Sequence, residues 1–384
     1  MKTILPIEKF KSIETPFYYY DMALLNATLD VIETESKKNN CHVHYAIKAN
    51  ANPRILKAIA SRGFGADCVS GNEILAAVAA GFDASKIVFA GVGKTDKEIN
   101  IGLDHNIMCF NAESKPELEV INELAAKAGK IANISLRINP NVDAHTHKKI
   151  TTGLNENKFG FNLEQTSDII AFVGTLKNLN FIGLHFHIGS QITDLSAFDD
   201  LCEVINQLQD DLEAKGFSPK NIDIGGGLGI DYNHPDENPI PSFAQYFDLF
   251  KQKLNLRPNQ NLHCEPGRSV VAQCGNVITR TVFVKEGTTK KFVIVDAGMT
   301  DLIRPAMYDS FHLIENISST GVEDVYDVVG PICESSDVFG KDRKLKSTRR
   351  GDFIVLRSAG AYGEVMASEY NLRKLPKAYF SDNI

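Results

Sequence analysis

The feature of this sequence that most limits its fold is a repeated alternation of short β-type runs with longer segments of helical spacing. The β-type runs lie at 42–48, 65–69, 86–90, 107–110, 131–138, 181–187, 221–224 and 261–265. Helical spacing predicts helices between them, for example at 53–62, 72–80, 115–128, 163–173, 197–215 and 243–254. Eight strand–helix units predict an α/β fold, a closed (β/α)8 TIM-like barrel of parallel strands wrapped by helices.

The pattern changes after residue 270, where β-type runs follow one another without helices between them. These runs lie at 276–285, 291–296, 325–329 and 352–357. An early run at 17–20 precedes the first barrel unit and is expected to join them. We therefore predict two domains. A barrel covers 24–270, and a mostly β domain, discontinuous in sequence, is formed by 1–23 and 271–384.

Composition and charge argue against several classes of partner. The chain has 384 residues, a formal net charge of −7 and no broad basic stretch, so a nucleic-acid partner is not expected. Apolar runs stay shorter than the roughly 18 residues of a membrane span, and the amino-terminal segment lacks a signal-peptide core, so we expect no membrane partner. Seven cysteines without CxxC spacing indicate reduced thiols and a cytoplasmic protein.

A lysine and a glutamate end two of the predicted barrel strands. Lys48 ends the first, where barrel enzymes keep their catalytic groups, and a partly desolvated lysine there can be a nucleophile. Taken alone, it is better explained as an ordinary solvent-facing lysine, and its companion residues reverse that preference. Glu265 ends the eighth strand and is followed by Pro266, Gly267 and Arg268. Together these residues predict a site for an aldehyde cofactor, in which the lysine forms a Schiff base, the glutamate keeps a ring nitrogen protonated and the arginine, with backbone amides, holds a phosphate.

Three consecutive glycines end the seventh predicted strand. Gly225, Gly226 and Gly227 lie in the run DIGGGLG, and their backbone amides can approach a phosphate closely. A dinucleotide-binding loop would need a glycine where Ile230 stands, and a flexible turn is the remaining alternative. The run GVGKT at 91–95 resembles the end of a nucleotide-triphosphate loop but lacks its first glycine.

Two histidines alternate at the end of the sixth predicted strand. His185 and His187 would share one strand face and could suggest a metal pair, but no matching ligands accompany them, and we expect no metal. We expect His187 to stack on a planar cofactor and Ser190 to reach a phosphate oxygen. Taken singly, His44, His185 and His263 are each better explained as hydrogen-bonded core histidines.

With Lys48, HIGSQ, GGGLG and EPGR in this order, the chain resembles the barrel-type pyridoxal-phosphate decarboxylases of basic amino acids, which share their fold with alanine racemase. The resemblance spans nearly the whole chain and is greatest to the diaminopimelate decarboxylase family. Within the motif at 333–337, this chain has Ser336 where the family more often has glycine. The further motifs are TPFYYYD at 15–21, KFGF at 158–161, RPAMYD at 304–309, CESSD at 333–337 and GAYG at 360–363.

The resemblance implies an enzyme that uses pyridoxal 5'-phosphate to convert meso-2,6-diaminopimelate into L-lysine and carbon dioxide. It implies that Lys48 carries the cofactor, that His187 stacks on it and that Glu265 contacts its ring nitrogen. The other residues expected to bind the cofactor are Asp67, Ser190, Gly225, Gly226, Gly227, Gly267, Arg268 and Tyr362.

The same resemblance assigns residues to the substrate and to a partner subunit. Those expected to bind substrate are Arg268, Arg304, Tyr308, Glu334 and Tyr362. Cys333 is implied as the proton donor, with Lys48 as the alternative. Family members are homodimers, in which Cys333 and Glu334 would come from the partner subunit.

Arg304 and Glu334 would give the distal pocket one positive and one negative group, which suits the distal amino-acid head of diaminopimelate. Ornithine carries only an ammonium there and would leave the arginine unmatched. Three alternatives stay open. One is a related decarboxylase of ornithine, arginine or carboxynorspermidine. Another is an amino-acid racemase, which needs a tyrosine base. The third is a non-enzymatic cofactor carrier built as a bare barrel, against which residues 274–384 argue.

Overall fold

The structure is a computed structural model that describes residues 5–143 and 158–384. It separates into two compact units. The barrel unit comprises Leu29–Gly229 and Ser242–Gly267, and the sheet unit comprises Met1–Thr28, Ile230–Pro241 and Arg268–Ile384. Residues 1–4 and 144–157, which fall inside the two predicted domains, lie outside the described residues.

The chain starts with two helices and one strand. These are α1 (Ile7–Phe10), β1 (Phe17–Tyr20) and α2 (Met22–Lys38). The carboxylate of Asp21 accepts a hydrogen bond from Leu24 N at 3.0 Å, which satisfies an amide in the first turn of α2. Lys37 and Lys38 lie in its last turn, where positive charge complements the helix dipole.

Eight parallel strands close a barrel within the described part of the chain, which confirms the predicted (β/α)8 fold. The strands of the barrel unit are β2 (Cys41–Ala46), β3 (Gly65–Cys68), β4 (Ile87–Phe89), β5 (Cys109–Ala112), β6 (Ala132–Asn139), β7 (Phe161–Asn162), β8 (Leu179–His185), β9 (Asn221–Asp223) and β10 (Asn261–Cys264). Each barrel strand pairs with the next in the order β2-β3-β4-β5-β6-β8-β9-β10, and β10 pairs with β2. The short β7 pairs beside β6.

Helices alternate with these strands. They are α3 (Pro53–Ala60), α4 (Gly71–Ala80), α5 (Asp96–His105), α6 (Lys115–Lys127), α7 (Thr166–Thr175), α8 (Ser196–Ala214) and α9 (Phe243–Lys253). Asn52, Ser70 and Ser114 precede three of them, and each side chain accepts a hydrogen bond from an amide of the first turn. Among the described residues, no helix is both long and apolar enough to cross a lipid bilayer.

The GVGKT run at 91–95 directly precedes the helix α5 and ends at the residue that caps it, Thr95. Thr95 accepts from the amide of Glu98, whose side chain accepts from the amide of Thr95, so the two form a capping box at the start of α5. The buried amine of Lys94 lies 2.6 Å from Glu117 and donates to two backbone carbonyls. The lysine and threonine that resemble the end of a phosphate loop therefore have structural roles. Lys94 forms a buried ion pair, and Thr95 caps a helix.

Two buried histidines, His44 of β2 and His263 of β10, form a hydrogen-bonded pair. His44 Nδ1 lies 2.9 Å from the carbonyl of Lys86, and His44 Nε2 lies 2.9 Å from His263 Nδ1. Because a carbonyl can only accept, His44 Nδ1 carries the proton, and its Nε2 accepts from His263 in the neutral pair. This confirms that His44 and His263 are hydrogen-bonded core residues. Burial, together with His44 and His42, lowers the pKa of His263 to about 2.

The sheet unit is built around a second, mostly antiparallel sheet. The further elements of this unit are α10 (Arg268–Val271), β11 (Gly275–Glu286), β12 (Lys291–Val295), α11 (Arg304–Tyr308), β13 (Ile314–Asn316), β14 (Glu323–Val329), β15 (Val338–Lys346), β16 (Phe353–Leu356) and β17 (Lys377–Phe380). The strand order in the sheet is β13-β16-β11-β12-β14-β15, and β1 pairs with both β11 and β17. A buried cluster on this sheet contains Phe10, Phe17, Tyr19, Ile278 and Phe353.

Lowering the pH is expected to destabilise the barrel through His263. Its pKa falls from 6.5 in the unfolded chain to about 2 in the folded chain, so the unfolded chain binds more protons between these values. The contribution of neutral His263 to the free energy of unfolding is fully present above about pH 6.5. It falls as the pH drops toward 2, by about 1.4 kcal/mol per pH unit for one proton. Urea unfolding at a series of pH values measures this slope, and His263→Gln should reduce it. An equal slope in the variant would contradict the assignment.

Candidate active site

Lys48 and Asp67 meet at the carboxyl ends of β2 and β3. Lys48 lies in a single 3₁₀ turn, Ile47–Ala49, so the first strand ends two residues earlier than predicted. The parallel register sets Asp67 opposite Ala46, two residues before Lys48. The amine of Lys48 pairs with Oδ2 of the fully buried Asp67, while the lysine side chain keeps 35% of its surface exposed. The amine is therefore fixed by a neighbour and still accessible.

Glu265 follows β10 and lies in the barrel interior. His185 Nε2, from the end of β8, donates to its Oε2 at 2.9 Å, and Asn111, from β5, donates to its Oε1 at 3.3 Å. Neither β8 nor β5 is a neighbour of β10 in the barrel, so both bonds cross the interior. Burial would raise the pKa of Glu265, but His185 and Lys48 outweigh burial and lower it well below the usual range. The buried carboxylate is therefore ionised.

A second acid lies close to Glu265. Atoms of His185, Asp223 and Glu265 that could bind a metal lie within 4.8 Å of one another, the one such group among the described residues. Burial and the charge of Glu265 raise the pKa of Asp223 well above its usual range, which favours the protonated form that binds metals poorly. Its Oδ1 accepts from Gly225 N at 2.8 Å. Hydrogen bonds thus account for this group without an ion.

The three-glycine turn is shaped by close backbone contacts. Gly225 has φ +70°, in the left-handed region that favours glycine. A Cβ on Gly226 would lie 2.4 Å from the carbonyl oxygen of Glu265, so any side chain there would displace the backbone beside that carboxylate. The amides of Gly225 and Gly226 bond to Asp223 and His187, and nothing in the described ranges accepts from the amide of Gly227. Gly227 is the glycine whose amide remains for a ligand.

The structure corrects the expectation that His185 and His187 share one strand face. The strand β8 ends at His185, and His187 follows it. His185 bonds to Glu265, whereas His187 Nδ1 accepts from Gly226 N at 3.3 Å. Burial, and then Arg137 and Lys48, lower the pKa of His187 well below its usual range, so its ring is neutral. Ser190 follows in the same loop, and the next residue, Gln191, has φ +63°.

The loop after β10 packs against the turn that carries Lys48. Pro266 O accepts from Ala46 N at 3.2 Å. A Cβ on Gly267 would lie 3.0 Å from the Cβ of Ala46 and 3.2 Å from that of Ala49. The glycine therefore permits the close approach of the two loops that present Glu265 and Lys48.

A separate cluster of arginines and tyrosines lies in the sheet unit. Arg268 and Arg304 are each 5% exposed. The Arg268 guanidinium lies 4.9 Å from the ring centre of Tyr362, and that of Arg304 lies 5.9 Å from Tyr308 and 6.0 Å from Tyr362. Within residues 5–143 and 158–384, no carboxylate pairs with Arg304. The structure therefore brings together four of the five residues expected to bind substrate.

Cys333 and Glu334 are not part of this cluster. Both are exposed, whereas the two arginines are buried. Cys333 N donates to Asn371 Oδ1 at 3.4 Å, and Glu334 accepts from the hydroxyl of Tyr370 at 2.8 Å. One subunit by itself therefore does not pair Glu334 with Arg304.

Several residues at these sites were not predicted from the sequence. Asn111 and His185 bond directly to Glu265, and Tyr232 accepts from Arg268 Nη1 at 2.8 Å. A signal existed for His185, which occupies an inward position at the end of a barrel strand. For Asn111 and Tyr232 the sequence offers no comparable signal, because each acts through a residue far away along the chain.

The chain is similar to proteins of known family over its whole length. The model of the pyridoxal-dependent decarboxylases, pyridoxal binding domain, matches residues 26–272. A diaminopimelate decarboxylase from Bacteroides thetaiotaomicron is 59% identical over 100% of both chains, and one from Neisseria meningitidis is 45% identical over 94% of this chain and 86% of its own.

A solved structure agrees with these sequence relatives. It is a diaminopimelate decarboxylase from Helicobacter pylori complexed with L-lysine, 40% identical, with a TM-score of 0.91 over 97% of this chain and 93% of that chain. This chain belongs to the diaminopimelate decarboxylase family. It is therefore a pyridoxal-phosphate-dependent decarboxylase, as the resemblance implied.

The barrel unit fits the cofactor of this family. Lys48 supplies an accessible amine, and Glu265 supplies an ionised carboxylate that can hold a ring nitrogen protonated. Asp67 Oδ1 is buried and has no hydrogen-bond partner among the described residues, which leaves an acceptor beside Lys48. A positively charged pyridine ring matches this concentration of acidic groups.

The close contact at Gly226 leads to a prediction with a matched control. Gly226→Ala is expected to destabilise the chain by about 1–3 kcal/mol and to weaken pyridoxal phosphate binding about tenfold or more, because the new Cβ displaces the turn beside Glu265. Gly174→Ala adds a Cβ in open space near the end of α7 and should be neutral or stabilising by up to about 1 kcal/mol. Urea unfolding and cofactor titration test both. Equal behaviour of the two variants would refute the steric account.

Proposed function

We propose that the chain removes the carboxylate from the D-configured centre of meso-2,6-diaminopimelate and releases L-lysine and carbon dioxide. The observation that carries this proposal is the pair of charged sites in the chain. An ionised Glu265 lies buried beside an accessible lysine, and a buried Arg304 has no carboxylate partner within the described residues. The first suits a protonated pyridine ring, and the second suits a substrate carboxylate.

The roles of the barrel residues follow from their contacts. Lys48 would hold the cofactor aldehyde, Glu265 its ring nitrogen and His187 its ring face, with a neutral imidazole that adds no charge. Ser190, Gly227 and Gly267, together with the other two glycines of the turn, would surround the phosphate side. When bound, the cofactor supplies the electron sink for the electrons of the breaking carbon–carboxylate bond. Asp67 orients Lys48 through their ion pair.

The roles of the sheet-unit residues follow from charge. Arg304 would bind the distal carboxylate of the substrate. The ring faces of Tyr308 and Tyr362 flank the Arg304 guanidinium. Arg268 would serve the cofactor phosphate or the substrate. The leaving carboxylate departs as carbon dioxide, and the α-carbon then needs one proton. We propose that Cys333 Sγ donates this proton, with Lys48 Nζ as the alternative donor.

We also propose a homodimer in which Cys333 and Glu334 act in the site of the partner subunit. Both residues are exposed, and Glu334 accepts a hydrogen bond from Tyr370, whereas Arg268 and Arg304 of the same chain are buried. Residues 24–270 would form the cofactor-binding domain, and residues 1–23 and 271–384 the β domain. A cytoplasmic location is part of this proposal. A chain that sediments as a monomer while fully active would refute the shared site.

The substrate assignment is tested by carbon dioxide release from purified, cofactor-loaded protein. Turnover of meso-diaminopimelate is expected, with L-ornithine turned over far more slowly because it brings no carboxylate to Arg304. Arg304→Met is expected to raise KM about tenfold or more, which corresponds to the loss of a charge-assisted pair.

Arg343→Met provides a matched control for this measurement. Arg343 stacks on Phe311 at 4.4 Å in the same unit, and no carboxylate pairs with it among the residues that the structure describes. Its replacement should leave KM within about twofold, as for surface changes away from a site. Release of carbon dioxide from ornithine as fast as from diaminopimelate would overturn the assignment.

A further inference from the structure

Residues 230–241, here called the arm, follow the glycine turn of the barrel unit in sequence but belong to the sheet unit. Asp236 accepts from Arg357 Nη2 at 2.6 Å. Gln273 Nε2 donates to the carbonyls of Asp231 at 3.2 Å and Asn238 at 2.8 Å. These bonds attach both ends of the arm to the sheet unit and fix the position of the residues between them.

Tyr232 is the residue of the arm that enters the arginine cluster. It is 8% exposed, and its hydroxyl accepts from Arg268 Nη1 at 2.8 Å. The guanidinium of Arg304 lies 5.7 Å from the centre of its ring. His312 lies against the same ring at 5.2 Å, with the two ring planes at 80°. One side chain thus contacts both arginines and a histidine.

Two cations and a neutral histidine lie against Tyr232. Burial, and then Arg304, lower the pKa of His312 to about 3, so its ring is neutral at physiological pH. Burial raises the pKa of Tyr232, but Arg268 and Arg304 outweigh burial and lower it. The hydroxyl oxygen is therefore an acceptor close to two buried cations that repel each other, and it partly screens that repulsion.

We propose that Tyr232 is a positioning residue that determines specificity for a substrate with a distal carboxylate. Its hydroxyl accepts from Arg268 and its ring face contacts Arg304, so that the two guanidinium groups stay at a set spacing, and Arg304 Nε, which has no partner among the described residues, can donate to an anion. The inference rests on the proposed function for the identity of the substrate. A purely structural role, in which Tyr232 only anchors the arm, predicts that all ligands are affected equally.

Ligand binding without turnover separates these two roles. L-Lysine keeps the distal carboxylate of the substrate, and cadaverine has the same two amines without it. Tyr232→Phe is expected to weaken L-lysine binding about 5- to 20-fold in calorimetry of the cofactor-loaded protein, as for one charge-assisted hydrogen bond, and to leave cadaverine binding within about twofold. KM for diaminopimelate should rise by the same factor as the L-lysine dissociation constant, with kcat within about twofold.

Tyr246→Phe is the matched control, because it removes a buried hydroxyl that has no partner among the described residues and lies in α9 of the barrel unit. This variant should change the dissociation constant of neither L-lysine nor cadaverine. Thermal unfolding confirms that each variant is folded.

Asp236→Asn offers a second test should Tyr232→Phe fold poorly. It loosens the arm without altering Tyr232 and should also weaken the binding of L-lysine but not that of cadaverine.

The outcomes separate this inference from the proposed function. Unchanged L-lysine binding in Tyr232→Phe, or equal weakening of L-lysine and cadaverine, would overturn the positioning role. Absence of carbon dioxide release by the unmodified protein would refute the function instead, and the calorimetric comparison would still decide the role of Tyr232.

Discussion

The structure depends most on one buried negative charge. Glu265 is 5% exposed, and an isolated carboxylate in such a place would take up a proton. It stays ionised because His185 and Asn111 donate to its two oxygens and Lys48 adds its charge. These partners come from different barrel strands, so closure of the barrel is what assembles them. The fold thereby maintains a carboxylate that can keep a pyridine nitrogen protonated.

The same charge organises its neighbours. Glu265 is the second-largest influence, after burial, that raises the pKa values of Asp67 and Asp223, so the ionised form of one acid disfavours that of the others. Asp67 is the exception that has its own cation, since it pairs with Lys48. Between the two acids without a lysine partner, Glu265 is therefore the favoured anion and Asp223 the acid that favours its protonated form. The sheet unit shows the opposite arrangement, with two buried arginines and aromatic faces in place of acids.

The barrel and its two key side chains could be predicted because local patterns record them. Buried parallel strands read as apolar runs, and Lys48 and Glu265 interrupt such runs at their ends. The strand β15 was missed because it carries the polar sequence VFGKDRKLK and ends the order of its sheet, and edge strands are commonly charged. The bounds of helix α5 were not predicted, although its capping box, Thr95 with Glu98, is visible in the sequence.

The contacts of the candidate site were less predictable than its residues. His187 lies beyond the strand because β8 ends at His185, and its ring accepts a hydrogen bond from the amide of Gly226. Tyr232 reached the arginines because Asp236 and Gln273 attach the arm to the sheet unit, which no local pattern reveals. Sequence periodicity identifies strand ends, but tertiary hydrogen bonds decide which side chains meet there.

The central claim is that one amine, beside the buried carboxylate, binds the cofactor aldehyde. It is tested most directly by borohydride reduction of the cofactor-loaded protein, followed by proteolysis and mass spectrometry. The account predicts a phosphopyridoxyl group on Lys48 alone, and no such label when the same lysine is replaced by alanine. A label on another lysine, with Lys48 unmodified, would contradict it.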